Sequence, residues 1–125
     1  MERYYYEATV LEILDGNTIT LDIDLGFNMR VIKIVRLYGL NCPELTINNR
    51  VNPLGTAALQ FTESRIKSGD KVFIKTLKDR QEEFGRILVI VFYPHTTPGT
   101  FRCLNKEILD ANHAVPFMQT KTKYW

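Results

Sequence analysis

Between Thr18 and Leu25 the chain alternates without a break, polar Thr18, Thr20, Asp22 and Asp24 against apolar Ile19, Leu21, Ile23 and Leu25. A period of two fits a strand with one face buried and the other in water, because successive side chains of a strand point to opposite sides. Residues 4–14 just before it are rich in aromatic and β-branched types, and Asp15-Gly16 separates the two runs. An Asp-Gly pair in that position signals a hairpin, with the glycine expected to take the positive φ of the turn. Gly26-Phe27-Asn28 predicts a second turn into a third strand at about 29–38. Three half-buried antiparallel strands in a row need a partner layer, and the rest of the chain has to supply it.

Leu54, Ala57, Ala58 and Phe61 share one helical face, with Asn52-Pro53 as the entry signal and Ser68-Gly69-Asp70 as the exit. Two further strands are expected at 71–78 and 85–93. Leu104, Ile108 and Ala111 mark a short second helix that Asn112 closes in the left-handed conformation. The order β-β-β-α-β-β-α is α+β, mainly β. Five short strands around one intervening helix suit a five-stranded Greek-key barrel of the oligonucleotide/oligosaccharide-binding (OB) fold with helices packed on it. The 125 residues, 45% of them hydrophobic, are a single-domain length. One domain over 1–118 is expected, followed by a short tail, 119–125. The stretches 45–52, 94–100 and the tail are expected to be the mobile parts.

With 16 Lys+Arg against 14 Asp+Glu the net charge is only +2, so binding to a polyanion has to come from a local patch rather than bulk charge. Cys42 and Cys103 lack a metal-ligand spacing, and Glu2-Arg3 run straight into Tyr4-Tyr5-Tyr6 without an apolar leader. A reduced, cytoplasmic protein is the expectation. The longest apolar run, Ile87 to Tyr93, is far below the roughly 20 residues of a membrane span, so no membrane partner is expected. His95 and His113 have no spacing partner and read as surface or helix-end residues. Cys42 reads as a small apolar filler rather than a nucleophile.

The chemistry is carried by three segments: Asp15-Gly16-Asn17-Thr18, then Val35-Arg36-Leu37-Tyr38-Gly39-Leu40-Asn41-Cys42-Pro43-Glu44, then Phe84-Gly85-Arg86. Arg36 lies between Val35 and Leu37, which alternate inward, so its guanidinium is expected to point to the other face, where it could clamp phosphate oxygens bidentately. Pro43, with its fixed φ, holds the start of the loop that bears Glu44. Each segment alone has an ordinary explanation: a solvated strand arginine, a plain hairpin turn, a loop start. In this order and spacing they resemble the staphylococcal (micrococcal) nuclease family, whose pattern reads Asp-Gly-Asp-Thr, then Arg-Leu and a stretch ending Asp-x-Pro-Glu, then Tyr-Gly-Arg. The resemblance runs from about residue 8 to 115.

The resemblance implies an OB-fold barrel and a metal-dependent nuclease. It makes Glu44 the general base for water and Arg36 and Arg86 the clamps on phosphate and transition state. It places Phe84 where a family tyrosine lines the nucleotide pocket, suited to stacking on a base. It puts the metal seat at Asn17, Asn41 and the Cys42 backbone carbonyl, with Asp15 and Glu44 as the nearby carboxylates. Both metal-binding aspartates of the family are therefore asparagines here. An amide oxygen can ligate calcium or magnesium, but two negative charges are gone. At an effective dielectric of about 20 each full charge is nominally several kcal/mol at ligand distance, so a weakly bound or substrate-assisted cation is expected. Two functions follow: a nuclease on DNA or RNA, or a catalytically impaired barrel that binds nucleic acid or a protein partner.

Overall fold

The structure, a computed structural model, describes residues 4–81 and 86–116. Strands β1 (Tyr5–Asp15), β2 (Thr18–Gly26) and β3 (Met29–Leu37) form the expected meander, followed by the two-residue strands β4 (Leu40–Asn41), β5 (Thr46–Ile47) and β6 (Arg50–Val51). Helix α1 (Pro53–Arg65) then leads to β7 (Lys71–Gln81) and β8 (Ile87–Pro94). Strand β9 (Phe101–Cys103), helix α2 (Leu104–Asp110) and β10 (Val115–Pro116) complete the described chain. The main sheet runs β3-β2-β1-β7-β8-β9, and a parallel pairing of β3 with β8 over Val35–Leu37 closes it into a five-stranded barrel. The expected OB-type, mainly β architecture is the one observed. No helix among the described residues is long and apolar enough to cross a membrane.

The alternation read in β2 is the burial observed. Ile19 and Leu21 are fully buried and Ile23 nearly so, facing Ala8 and Val10 of β1, Val35 and Leu37 of β3, Val72 and Ile74 of β7, and Val89 and Val91 of β8. The register of β1 on β2 slips twice, between Val10 and Glu12 and between Ile13 and Asp15, as strands bent into a barrel require. The unbroken apolar run of β8 is explained by burial on both sides. Val89 and Val91 enter the barrel, while Leu88 and Ile90 join Tyr38 and Leu77 in a second, outer cluster.

Three expectations need correction. Gly16 does not adopt positive φ; it is glycine because a Cβ there would lie 2.9 Å from the Cys42 sulfur and 3.0 Å from the Ala58 Cβ. Helix α1 buries only part of the stripe read from the sequence: Ala58 is fully buried and Phe61 packs against the core, but Leu54 is 68% exposed, and the fully covered face is Gly55, Ala58 and Thr62. The close packing of α1 on neighbouring backbone selects small residues over large apolar ones. The stretch 45–52, expected to be mobile, is a hairpin of β5 and β6 with Asn48 and Asn49 both at positive φ, closed by the Asn52 amide donating to the Leu45 carbonyl at 2.8 Å. Residues 94–100 form the turn from β8 to β9, where the His95 amide donates to the Thr100 carbonyl. As expected, α2 ends at Asn112 in the left-handed conformation, φ 61°. His113 lies just beyond, its ring 4.9 Å from that of Phe61.

The fully buried Asn105 locks α2 to the barrel, a role invisible in the apolar pattern. Its side-chain oxygen accepts the Val91 amide at 2.9 Å, and its amide donates to the carbonyls of Tyr38 at 2.9 Å and Val89 at 3.1 Å. Asn105→Ala takes the acceptor from the Val91 amide and a donor from the Tyr38 carbonyl, while the Val89 carbonyl keeps the Tyr38 amide; a buried group left unsatisfied costs about 1–3 kcal/mol. The expected outcome is a lower urea midpoint at unchanged m-value, corresponding to a loss of at least about 2 kcal/mol. Asn105→Asp, which keeps the acceptor and loses the donor, should also destabilise.

Candidate phosphodiester site

The candidate residues gather where the β1–β2 turn, the end of β3 and the loop after β4 meet under α1. Asp15 ends β1 and its Oδ1 accepts the Asn17 amide at 2.9 Å, a local turn that Asp favours for this reason. The Gly16 carbonyl accepts the buried Thr62 hydroxyl of α1 at 2.8 Å, and the Asn17 carbonyl accepts the Leu37 amide at 2.9 Å. The turn is thereby fixed from two sides. Arg36 pairs in register with Thr18 of β2 and with Leu88 of β8, half-buried between fully covered Val35 and Leu37, as the alternation required. Its Nη2 donates to the Asn41 Oδ1 at 2.5 Å.

The Glu44 loop is held by the start of α1. The Asn52 side-chain amide donates to the Glu44 carbonyl at 2.8 Å while its oxygen caps the helix at the Leu54 amide, 3.3 Å. Gly55 presses so closely that a Cβ there would stand 2.1 Å from the Glu44 carbonyl oxygen. The Glu44 side chain itself is exposed. Arg86 stands one residue before β8, half-buried, two positions ahead of the Leu88 that pairs with Arg36. Phe84 and Gly85 lie outside the described residues. Asp15 is bonded to Asn17 and Arg36 to Asn41, and Glu44 lies three residues after Asn41 in the same loop; Arg86 precedes the start of the parallel β3–β8 pairing, whereas the Asn41–Glu44 loop follows the end of β3.

Of the residues that hold this arrangement, sequence reasoning found Asn52 as the helix entry and Ala58 on its apolar face, but missed Gly55 and Thr62. A glycine inside a helical pattern, unfavourable there by about 1 kcal/mol relative to alanine, was the available signal for a close backbone approach.

The donor chemistry does not match a resident divalent cation. Calcium and magnesium want several oxygen ligands, preferably carboxylates. Among the described residues no three acids, histidines or cysteines gather as a ligand set. The Asn41 oxygen is taken by Arg36, and one Asp15 oxygen by the Asn17 amide. Asn17 is 4% exposed, and among the described residues its Nδ2 has no hydrogen-bond acceptor. A buried N–H donor offers nothing to a cation, and leaving it unsatisfied costs about 1–3 kcal/mol.

Cys42 reports the local field. Burial pushes its thiol up to about 12, the nearby Asp15 carboxylate adds to the rise, and Arg36 opposes it. The thiol is held protonated and inert, in line with its reading as a filler against Gly16. The unfolded thiol ionises near 9, so its contribution to stability is complete below that pH and is lost as pH rises from 9 towards 12. Cys42 should therefore resist alkylation at pH 8 in the native protein and react promptly in denaturant. In Cys42→Ser the unfolding free energy should fall less steeply between pH 9 and 11 than in the parent.

A family model described as staphylococcal nuclease homologue matches residues 34–123. This span includes Arg36, Asn41, Cys42, Glu44, Phe84 and Arg86. Comparison with curated proteins gives no match. The barrel, the site at the end of the β3–β8 pair and a family match over most of the chain lead to one conclusion: the chain belongs to the staphylococcal nuclease homologue family.

Proposed function

We propose that this domain binds the phosphodiester backbone of DNA or RNA at the Arg36 end of the barrel and hydrolyses it slowly. The observation that carries the reading is the placement of Arg36. It is fixed by register on two strands and by its bond to Asn41, three residues before Glu44. In this reading Arg36 and Arg86 pair with the non-bridging phosphate oxygens and stabilise the charge of the pentacoordinate transition state. Glu44 takes the proton of the attacking water as its oxygen bonds to phosphorus, and the ester P–O bond breaks to release the leaving oxygen. Phe84 supplies a stacking surface for a base. Because the donor set does not suit a resident cation, calcium or magnesium is proposed to arrive with the substrate phosphate, where it supplies charge neutralisation. That dependence makes the reaction slow and demanding of high metal concentration.

The second reading is a nucleic-acid-binding or protein-binding barrel without catalysis. It is favoured by the Arg36–Asn41 bond and the unpartnered Asn17 amide, which leave little for a cation to hold. A solvent-facing carboxylate beside the phosphate path weighs the other way, since Glu44 repels the ligand and has no use in simple binding.

A cleavage assay on single- and double-stranded DNA and RNA, with calcium, magnesium and manganese titrated to high concentration, decides between them. Cleavage is expected only at high metal. Glu44→Gln is expected to lower the rate by about 10²–10⁴ while leaving or tightening binding. Arg36→Lys and Arg86→Lys keep the charge but lose the planar fork, and a large loss of turnover is expected in each. Parent-like cleavage by Glu44→Gln, or near-normal turnover in both lysine variants, would refute the hydrolytic assignment. Inactivity with intact binding establishes the second reading.

A further inference from the structure

We propose that the chain carries a second ligand site, a pocket at the C-terminal end of helix α1 that takes a phosphate monoester borne on a flat ring, as in a mononucleotide. The site is separate from the Arg36 end of the barrel and independent of what binds there. Arg36 pairs with Leu88 near the start of β8, whereas Tyr93 and Pro94, which line the pocket, are the last two residues of that strand. From Leu88 to Tyr93 is five residues of strand, roughly 16 Å at about 3.3 Å per residue. The pocket has a volume of about 350 Å³, at the lower end of the roughly 300–1,000 Å³ of small-molecule sites. Its lining is apolar at Ile66, where α1 ends, and at Val72 of β7, both of them buried in the barrel core, and at Pro94.

Arg65 supplies the charge. Its guanidinium stands over the Phe61 ring, 4.8 Å from the centroid, and its place in the last turn of α1 suits a cation. Among the described residues it has no ion pair, whereas Lys71 in the same pocket is paired with Glu7 at 3.4 Å and nearby Arg102 with Glu107 at 3.4 Å. A guanidinium held in place without an acid partner offers its planar fork to two phosphate oxygens. Tyr93 donates its hydroxyl to Glu107, which fixes the phenol at the pocket wall. Burial first and the Glu107 bond next push that phenol's pKa up, and Arg65 opposes the rise, so guanidinium and phenol share one field. Asp70 also lines the pocket, with its Oδ2 accepting the Lys67 amide at 2.9 Å. That carboxylate repels a ligand that is anionic throughout and accepts from an O–H or N–H. One anionic group joined to a neutral ring with such donors satisfies Arg65, the apolar lining and Asp70 together, and a nucleoside monophosphate is that combination.

The test follows backbone amide resonances of the isotopically labelled intact chain during titration with thymidine 5′-monophosphate, with thymidine and with inorganic phosphate. The monophosphate is expected to move the amides of residues 65–72 and of Tyr93 saturably, and thymidine and phosphate alone to bind there at least about tenfold more weakly. Arg65→Ala is expected to weaken the monophosphate response about tenfold or more, and Arg65→Lys, which keeps the charge without the fork, to fall between. Arg65 is exposed, so both variants are expected to melt with the parent. A short oligothymidylate separates the two sources of such a ligand: shifts at these amides with both probes assign the pocket to the end of a strand, and shifts with the monophosphate alone assign it to a free nucleotide. No saturable shift at these amides, or a response that Arg65→Ala leaves unaltered, would overturn the site. Monophosphate shifts confined to the Arg36 end would overturn it as well, while leaving the function proposed for that end untouched.

Discussion

The arrangement depends on how closely helix α1 approaches the backbone beneath it. At its middle, Ala58 abuts Gly16 and the Thr62 hydroxyl bonds the Gly16 carbonyl; at its start, Gly55 and Asn52 grip the Glu44 carbonyl. One helix thus fixes both loops on which the candidate chemistry stands, the turn with Asp15 and Asn17 and the loop with Cys42 and Glu44. Such contact is possible only with small side chains, because a Cβ at either glycine meets an atom at 3 Å or less. The buried Thr62 hydroxyl and the Asn52 cap then set the position laterally, where apolar packing alone would let the helix slide. The barrel below provides the rigid floor, closed by the short parallel pairing of β3 with β8 that also carries Arg36.

Much of this was legible in the sequence, for identifiable reasons. The period-two pattern of β2 and the turn residues around it reported the meander directly, because each strand has one face in the core and one in water. Asn112 announced the end of α2 through its tolerance of positive φ. Arg36 was legible as outward-facing since Val35 and Leu37 are buried on either side. The buried face of α1 was legible only at Ala58 and Phe61, because hydrophobic periodicity looks for apolar residues and the rest of this face is Gly55 and Thr62. Gly16 was recognised as a turn residue for the wrong reason, steric room and backbone φ being indistinguishable from the letter alone. Asn105 carried no signal at all, since a buried asparagine makes sense only once the three backbone groups that it satisfies are known.

The family's fold and the family's chemistry come apart in this chain. The hydrogen bonds that hold the turn at residue 17 and the Glu44 loop use backbone groups there, so the scaffold does not depend on whether residues 17 and 41 are acids or amides. Asn41 offers its amide oxygen to the Arg36 guanidinium, and Asn17 is buried in the turn beneath α1. In the proposed reading Glu44 and Arg86 keep hydrolysis chemically reasonable once charge is supplied from outside the protein.

The most direct test of the account is a map of where nucleic acid touches the protein. Titrating the isotopically labelled chain with a short oligothymidylate and following amide and side-chain resonances gives that map without reliance on turnover. The account requires the largest shifts at Asn17, including its side-chain amide, at Arg36, across Asn41–Glu44 and at Arg86. Shifts concentrated on the far side of the barrel, on β7 and β9 around Phe73 and Phe101, with the Arg36 rim unmoved, would contradict it.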